Sequence, residues 1–121
     1  MVGLLRASAG GDAIAARRLA DHVLEPILAP PAVVWRARLV LTAACLHAAG
    51  HLSVDPTFAE VEGVLRALAS RETSALADLA KSPQQIVQYV ACECGNADDV
   101  WVEAATSLAI QALTAKLYTN R

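Results

Sequence analysis

The stretch "PAVVWRARLVLTAACLHAAG", residues 31–50, decides how the rest of the chain is read. Proline can occupy the first turn of a helix, where its missing N–H costs nothing, and a glycine is the usual residue just past a helix end. Between Pro31 and Gly50 the apolar residues follow no single stripe. Trp35, Leu39 and Leu46 fall on one row, and Val34, Leu41, Cys45 and Ala48 on another. A helix that is apolar on every side must be surrounded by other elements. The stretch is therefore expected to be the central helix of an all-α bundle, too apolar for any part of it to serve as a docking face.

Outward from that helix the punctuation predicts five more. "GGD" ends a loop, and Asp12 is an expected N-cap for a helix reaching about Glu25, where Pro26 disfavours continuation. Ala15, Ala16, Leu19, Ala20 and Val23 would form its inner face; Arg17, Arg18, Asp21 and Glu25 would be wet. Asp55 as N-cap and Pro56 at the first helical position predict a third helix carrying Phe58, Val61, Leu65 and Leu68 inward. Gly63 within it would mark a close helix crossing. A short fourth helix is expected over residues 73–81, with Leu76 and Leu79 inward. Ser82, Pro83 and Gln85 predict a capped fifth helix, with Ile86, Tyr89 and Val90 on its face, that stops at Gly95. "NADD" would cap a sixth, striped by Trp101, Ala105, Leu108 and Ala112 towards Leu117. About six helices joined by short loops in one compact domain over 1–121 is the expected architecture.

Composition narrows the function. The chain is 55% hydrophobic but only 4% aromatic, so alanine and leucine supply the core and favour closely packed helices. A net charge of −2 lacks the basic excess of a dedicated nucleic-acid binder. Three cysteines cannot all pair within the chain, which suits a reducing cytoplasm. The longest uninterrupted apolar run, residues 39–46, is too short to span a bilayer.

"CLHAAGHL" sets His47 and His51 four apart, with Cys45, Cys92 and Cys94 as further soft donors, a possible zinc set. Gly50 argues against it, since a helix ending there would carry His51 away from His47. No glutamate completes an H-E-x-x-H motif, and Cys92 and Cys94 are separated by one residue where zinc knuckles use at least two. The same pair as a redox dithiol lacks an adjacent base. There is no nucleophile elbow and no phosphate-binding loop. Trp35 and Trp101 are expected to anchor their helices in the core rather than to stack on a ligand. No catalytic residue, cofactor or metal is expected, and binding is the better class of function.

The segment "AARRLADHVLEP…VVWRARLVLTAACLHAAGHLSVDPTFAEVEGVLRA" resembles the all-alpha domain of type IV coupling proteins, the ATPases of conjugation and type IV secretion. The matching positions are Ala16, Leu19, Ala20, Pro26, Trp35, Ala37, Leu41, His47, Val61 and Leu65. "SPQQIVQYVACECG" and "VWVEAATSLAIQAL" are similar to that domain's closing helices more loosely, so the likeness runs over residues 12–117. It departs from the family in having neither a Walker A nor a Walker B motif. The resemblance thus implies only the helical domain, cut from a larger ATPase or standing alone, at the cytoplasmic face of the inner membrane and without membrane contact of its own. Its implied partners are a secreted protein substrate or a relaxase, with weak contact to DNA. As an insertion in a nucleotide-binding domain it would bring Leu5 and Leu117 together. Partner contacts are expected in the polar stretch between the third and fifth helices, at Arg71, Glu72, Lys81, Gln84 and Gln88, because binding residues gather on loops held by a rigid scaffold. The alternative is a small helical regulatory or accessory protein acting through homodimerisation.

Overall fold

The computed structural model describes residues 12–25, 27–48, 57–96 and 99–119. Six helices account for nearly all of them: α1 Ala13–Leu24, α2 Pro31–His47, α3 Phe58–Ala69, α4 Thr73–Ala80, α5 Gln85–Asn96 and α6 Asp99–Thr119. No strand occurs among the described residues. The chain is an all-α bundle, as the helical punctuation predicts. No described helix is long and apolar enough to cross a membrane. Leu5, Gly50, His51, Asp55, Pro56 and Asp98 lie outside the described residues, so the expectations placed on them, including the meeting of the chain ends, lie there too.

α2 sits where its sequence demands. It packs against α1, α3, α5 and α6, and every residue from 40 to 48 is buried. The first half of the helix behaves differently. Val33, Val34 and Leu39 are only half-buried and Trp35 is 50% exposed. The expectation that all of this helix is hidden, with Trp35 as a core anchor, is therefore wrong at its first two turns. Four helices cannot cover both ends of a 17-residue rod when their own lengths and crossing points favour one end.

The seams of the partner helices follow from period. α1 buries Ala15, Ala16, Leu19, Ala20, Val23 and Leu24. α3 buries Val61, Val64, Leu65 and Leu68, and α6 lays down Val102, Ala105, Thr106, Ala109, Ala112 and Leu113. Trp101 and Leu108 only edge that seam as half-buried neighbours. Alanine at so many contact positions lets the helix backbones approach closely, which is how a core with few aromatics fills its volume. α4 buries Leu79, with Leu76 half-buried. α5 buries Val87, Val90, Ala91 and Cys94; Tyr89, expected on that face, is 49% exposed. Where a threonine enters the core its hydroxyl turns back to the helix: Thr42 Oγ1 donates to the Arg38 carbonyl at 2.7 Å and Thr106 Oγ1 to Val102 at 2.6 Å. Such bonds remove the desolvation penalty of an orphaned hydroxyl.

Helix ends show where local rules compete. Asp12 Oδ1 accepts from the amides of Ile14 and Ala15 at 3.0 and 3.1 Å, the expected N-cap. α3 is capped by Thr57. Thr57 is extended (φ −111°, ψ 158°), its hydroxyl accepts from the Glu60 amide at 3.3 Å, and it donates to Glu60 Oε1 at 3.2 Å. This T-x-x-E arrangement satisfies the first turn two residues later than a proline-led start would. At α5 the expected Ser82–Gln85 capping box does not form. Ser82 Oγ instead accepts from the Gln84 amide at 3.1 Å, closing a turn. The Gln88 side chain donates to the Ser82 carbonyl, so the helix begins only at Gln85.

Two glycines do not act as the pattern suggests. Gly95 lies inside α5, which runs one residue beyond it, and Gly63 is exposed. A Cβ added at Gly63 would meet nothing within 4 Å, so no helix crosses there. Its backbone freedom is simply lost on folding. Gly63→Ala is expected to stabilise the domain by about 0.5–1 kcal/mol, a rise of about 2–6 °C in melting temperature by circular dichroism. A lower melting temperature would mean that a neighbour does approach this face.

Candidate docking surfaces

The residues expected to meet a partner divide between the two ends of α4. Arg71 and Glu72 stand at its start and Lys81, Gln84 and Gln88 beyond its end. Eight helical residues, about 12 Å of rise, separate the groups, so they form two edges and not one site. Glu72 and Lys81 are the exposed N-cap and C-cap of α4. Gln84 and Gln88 are engaged locally: the Gln84 amide bonds to Ser82, its carbonyl accepts from the Gln88 amide, and the Gln88 side chain closes on the Ser82 carbonyl.

Arg71 is the structurally distinctive member. It is the one non-glycine residue with positive φ among the described residues, at 52°. The Arg71 amide donates to the Leu68 carbonyl and the Glu72 amide to Ala67, both at 3.1 Å. These two bonds make a Schellman motif that ends α3, with Arg71 at the position glycine normally takes. The left-handed conformation crowds a Cβ against the backbone. Here the two reversed hydrogen bonds and the need to turn directly into α4 hold it. Sequence reasoning reached Arg71 as a polar loop residue and missed its backbone, because the glycine that usually signals this cap is not there.

Arg71 also lines a groove. Together with Arg66, Ala69, Ser70, Val102, Glu103 and Ile110 it borders an open cavity of about 820 Å³ between the end of α3 and α6. Val102 and Ile110 supply an apolar floor; Arg66, Arg71 and Glu103 supply charge. Arg66 Nη2 is already bonded to Glu62 Oε1 at 2.9 Å, one turn back on α3.

A second groove was not anticipated. It lies between the end of α1 and the exposed first turns of α2, encloses about 450 Å³, and is lined by Asp21, Leu24, Glu25, Ile27, Val34, Trp35 and Arg38, among others. Leu28, in the connection between the helices, is fully exposed. Arg38 Nη1 reaches Asp21 Oδ1 at 3.6 Å across the helix pair. The only hint in the sequence was the tryptophan next to the "PILAPP" break.

The thiols are placed by helix geometry. Residues two apart on a helix face opposite ways, so Cys92 is exposed while Cys94 is buried, and the pair does not converge as a dithiol. Cys92 Sγ accepts from Asn96 Nδ2 at 3.4 Å. Burial pushes the Cys94 thiol up to about 11, with Arg71 opposing and Glu93 reinforcing the shift. Burial alone pushes Cys45 up to about 12. His47 is 7% exposed, at the end of the core helix. No group of three or more His, Cys, Asp or Glu among the described residues is arranged to hold a metal ion.

Two outcomes are expected. In the folded protein near neutral pH, a thiol reagent should modify Cys92 alone, with Cys45 and Cys94 reacting only on unfolding, because a thiol held above its ordinary pKa presents little thiolate. Mass spectrometry of the labelled protein checks this. Arg71→Gly should raise stability by about 0.5–1 kcal/mol by removing the left-handed cost, read from denaturant midpoints. It should also move the Cys94 thiol above about 11, since the nearby cation is gone.

Comparison with family models, with curated proteins and with solved structures returns no match to this chain.

Proposed function

We propose that this chain is a protein-docking domain of the type IV coupling-protein kind, presenting secreted proteins or a relaxase to an ATPase whose nucleotide chemistry resides elsewhere. The resemblance of residues 12–117 to that family's all-alpha domain motivates the reading. The observation that supports a docking role is the α3–α6 groove with Arg71 at its mouth. It is open, it has the apolar floor and few convergent polar groups of a binding cleft, and its arginines are the residue type enriched where proteins meet. The Arg71 backbone is held by the Schellman motif, so less backbone entropy remains to be lost when a partner binds. Exposed Glu72 adjoins Arg71 at this edge, and exposed Lys81 stands at the second edge, at the other end of α4.

The test is capture of the C-terminal tails of secreted substrates, or of a relaxase, by the immobilised domain. Arg71→Glu and Lys81→Glu are expected to weaken capture several-fold, more so at low salt, where screening is least. Melting temperature should stay close to the parent's, because both side chains lie at helix ends outside the core. If both variants capture as well as the parent, the partner uses neither edge. If the parent captures no tail and no relaxase, the coupling-protein reading falls.

A further inference from the structure

The groove between α1 and α2 holds a different chemistry from the Arg71 edge, and its ingredients point to one kind of occupant. Trp35 forms a wall and is 50% exposed, which is unusual for so large an apolar ring in a chain with only two tryptophans. Leu24, Ile27 and Val34 form an apolar floor, and two carboxylates, Asp21 and Glu25, stand against one guanidinium, Arg38. Arg38 is drawn to Asp21 at 3.6 Å. That leaves Glu25 as a carboxylate with no ion pair among the described residues, and it is exposed at the end of α1.

The same helix already carries a cation over the chain's other indole. On the other side of α2, Arg36 places its guanidinium 5.2 Å from the centroid of the Trp101 ring. That groove is lined by Val33, Arg36, Val100, Trp101, Ala104 and Ala105. A cation over an indole face, with its aliphatic stem on apolar neighbours, is a favourable arrangement in partly desolvated sites. Trp101 receives its cation from within the chain. Among the described residues no cation lies over Trp35.

We propose that the α1–α2 groove receives an arginine or lysine side chain from a partner protein. The aliphatic stem lies on Leu24, Ile27 and Val34, and the charge rests between the Trp35 ring and the Glu25 carboxylate. The partner segment carries that basic residue flanked by aliphatic ones, which cover the remaining apolar wall and exposed Leu28. This site is separate from the Arg71 edge and does not depend on assigning the chain to a secretion system.

The experiment follows the two indole N–H signals by NMR, with the Trp35 signal assigned by Trp35→Phe. The full chain is titrated with an acetylated, amidated Leu-Arg-Leu-Arg-Leu peptide and with the same peptide carrying citrulline in place of arginine. Expected are a saturable shift of the Trp35 signal with the arginine peptide, a smaller effect with citrulline, and little movement of Trp101. Glu25→Gln should weaken the arginine peptide roughly two- to fivefold. Glu25→Lys should weaken it further and favour a Leu-Glu-Leu-Glu-Leu peptide instead. Glu25 is an exposed cap, and circular dichroism of both variants should superpose on the parent's. Three results would overturn the proposal. The Trp35 signal could stay unmoved at millimolar peptide, or citrulline could bind as tightly as arginine. Sedimentation could also show a dimer of the free chain that Trp35→Ala abolishes, which would mean that a second copy covers the groove.

Discussion

Nine consecutive buried residues, 40–48, over the second half of α2 and its C-cap are the constraint on which the bundle depends. A helix turns its successive side chains through the full circle within four residues, so such a run cannot be satisfied by one neighbour or by two. It needs cover on every side, and α1, α3, α5 and α6 supply it. Much of the remaining arrangement follows. α6, the longest described helix at 21 residues, lies along α2 and also reaches α1 and α3. The short α4 packs with α3 and α5 and makes no substantial contact with α2, closing the outside of the bundle.

The same constraint explains where the polar groups go. Thr42 and Thr106 sit inside the core only because each hydroxyl can return to its own helix's backbone, and no described buried side-chain polar atom is left without a partner. Thiols tolerate the interior as small apolar groups, and burial raises Cys45 and Cys94 out of the reactive range. Two ion pairs among the described residues, Arg38–Asp21 and Arg66–Glu62, lie at the surface, where such pairs contribute about 0–1 kcal/mol each. Stability therefore rests on packing, and charge is left available for recognition.

Concentrating cover on one half of α2 uncovers the other. The first turns of α2 stand between two grooves, one bordered by the chain's own Arg36 over Trp101 and one beside Trp35. At the far side of α6, the turn from α3 into α4 reverses sharply through Arg71, opening a third recess against Glu103 and Ile110. These surfaces arise from the same packing problem: helices of unequal length around a central rod leave recesses where one helix stops before its neighbour does.

How much of this was legible beforehand differs by residue. The apolar periodicity of α1, the cap at Asp12, the helix start at Pro31, and the inward set Val61, Leu65 and Leu68 follow from short-range chemistry, in which each decision involves residues within a turn of one another. The cap at Thr57 and the delayed start at Gln85 were ambiguous because neighbouring side chains could satisfy the same first-turn amides, and the helix continues through Gly95 because glycine permits a helix end without requiring one. Exposure of Trp35, Tyr89 and Gly63 could not be read from spacing at all, since an apolar or small residue on a helix acquires a neighbour only when another helix is placed there. The docking residues illustrate the division. Arg71 was legible as a polar position but not as a left-handed cap, and the Trp35 groove was not legible in any form. The sequence by itself determined an all-α chain with a helix that had to be enclosed. The tertiary structure alone decided which half was enclosed, because covering a rod depends on the lengths and crossings of helices distant in the chain.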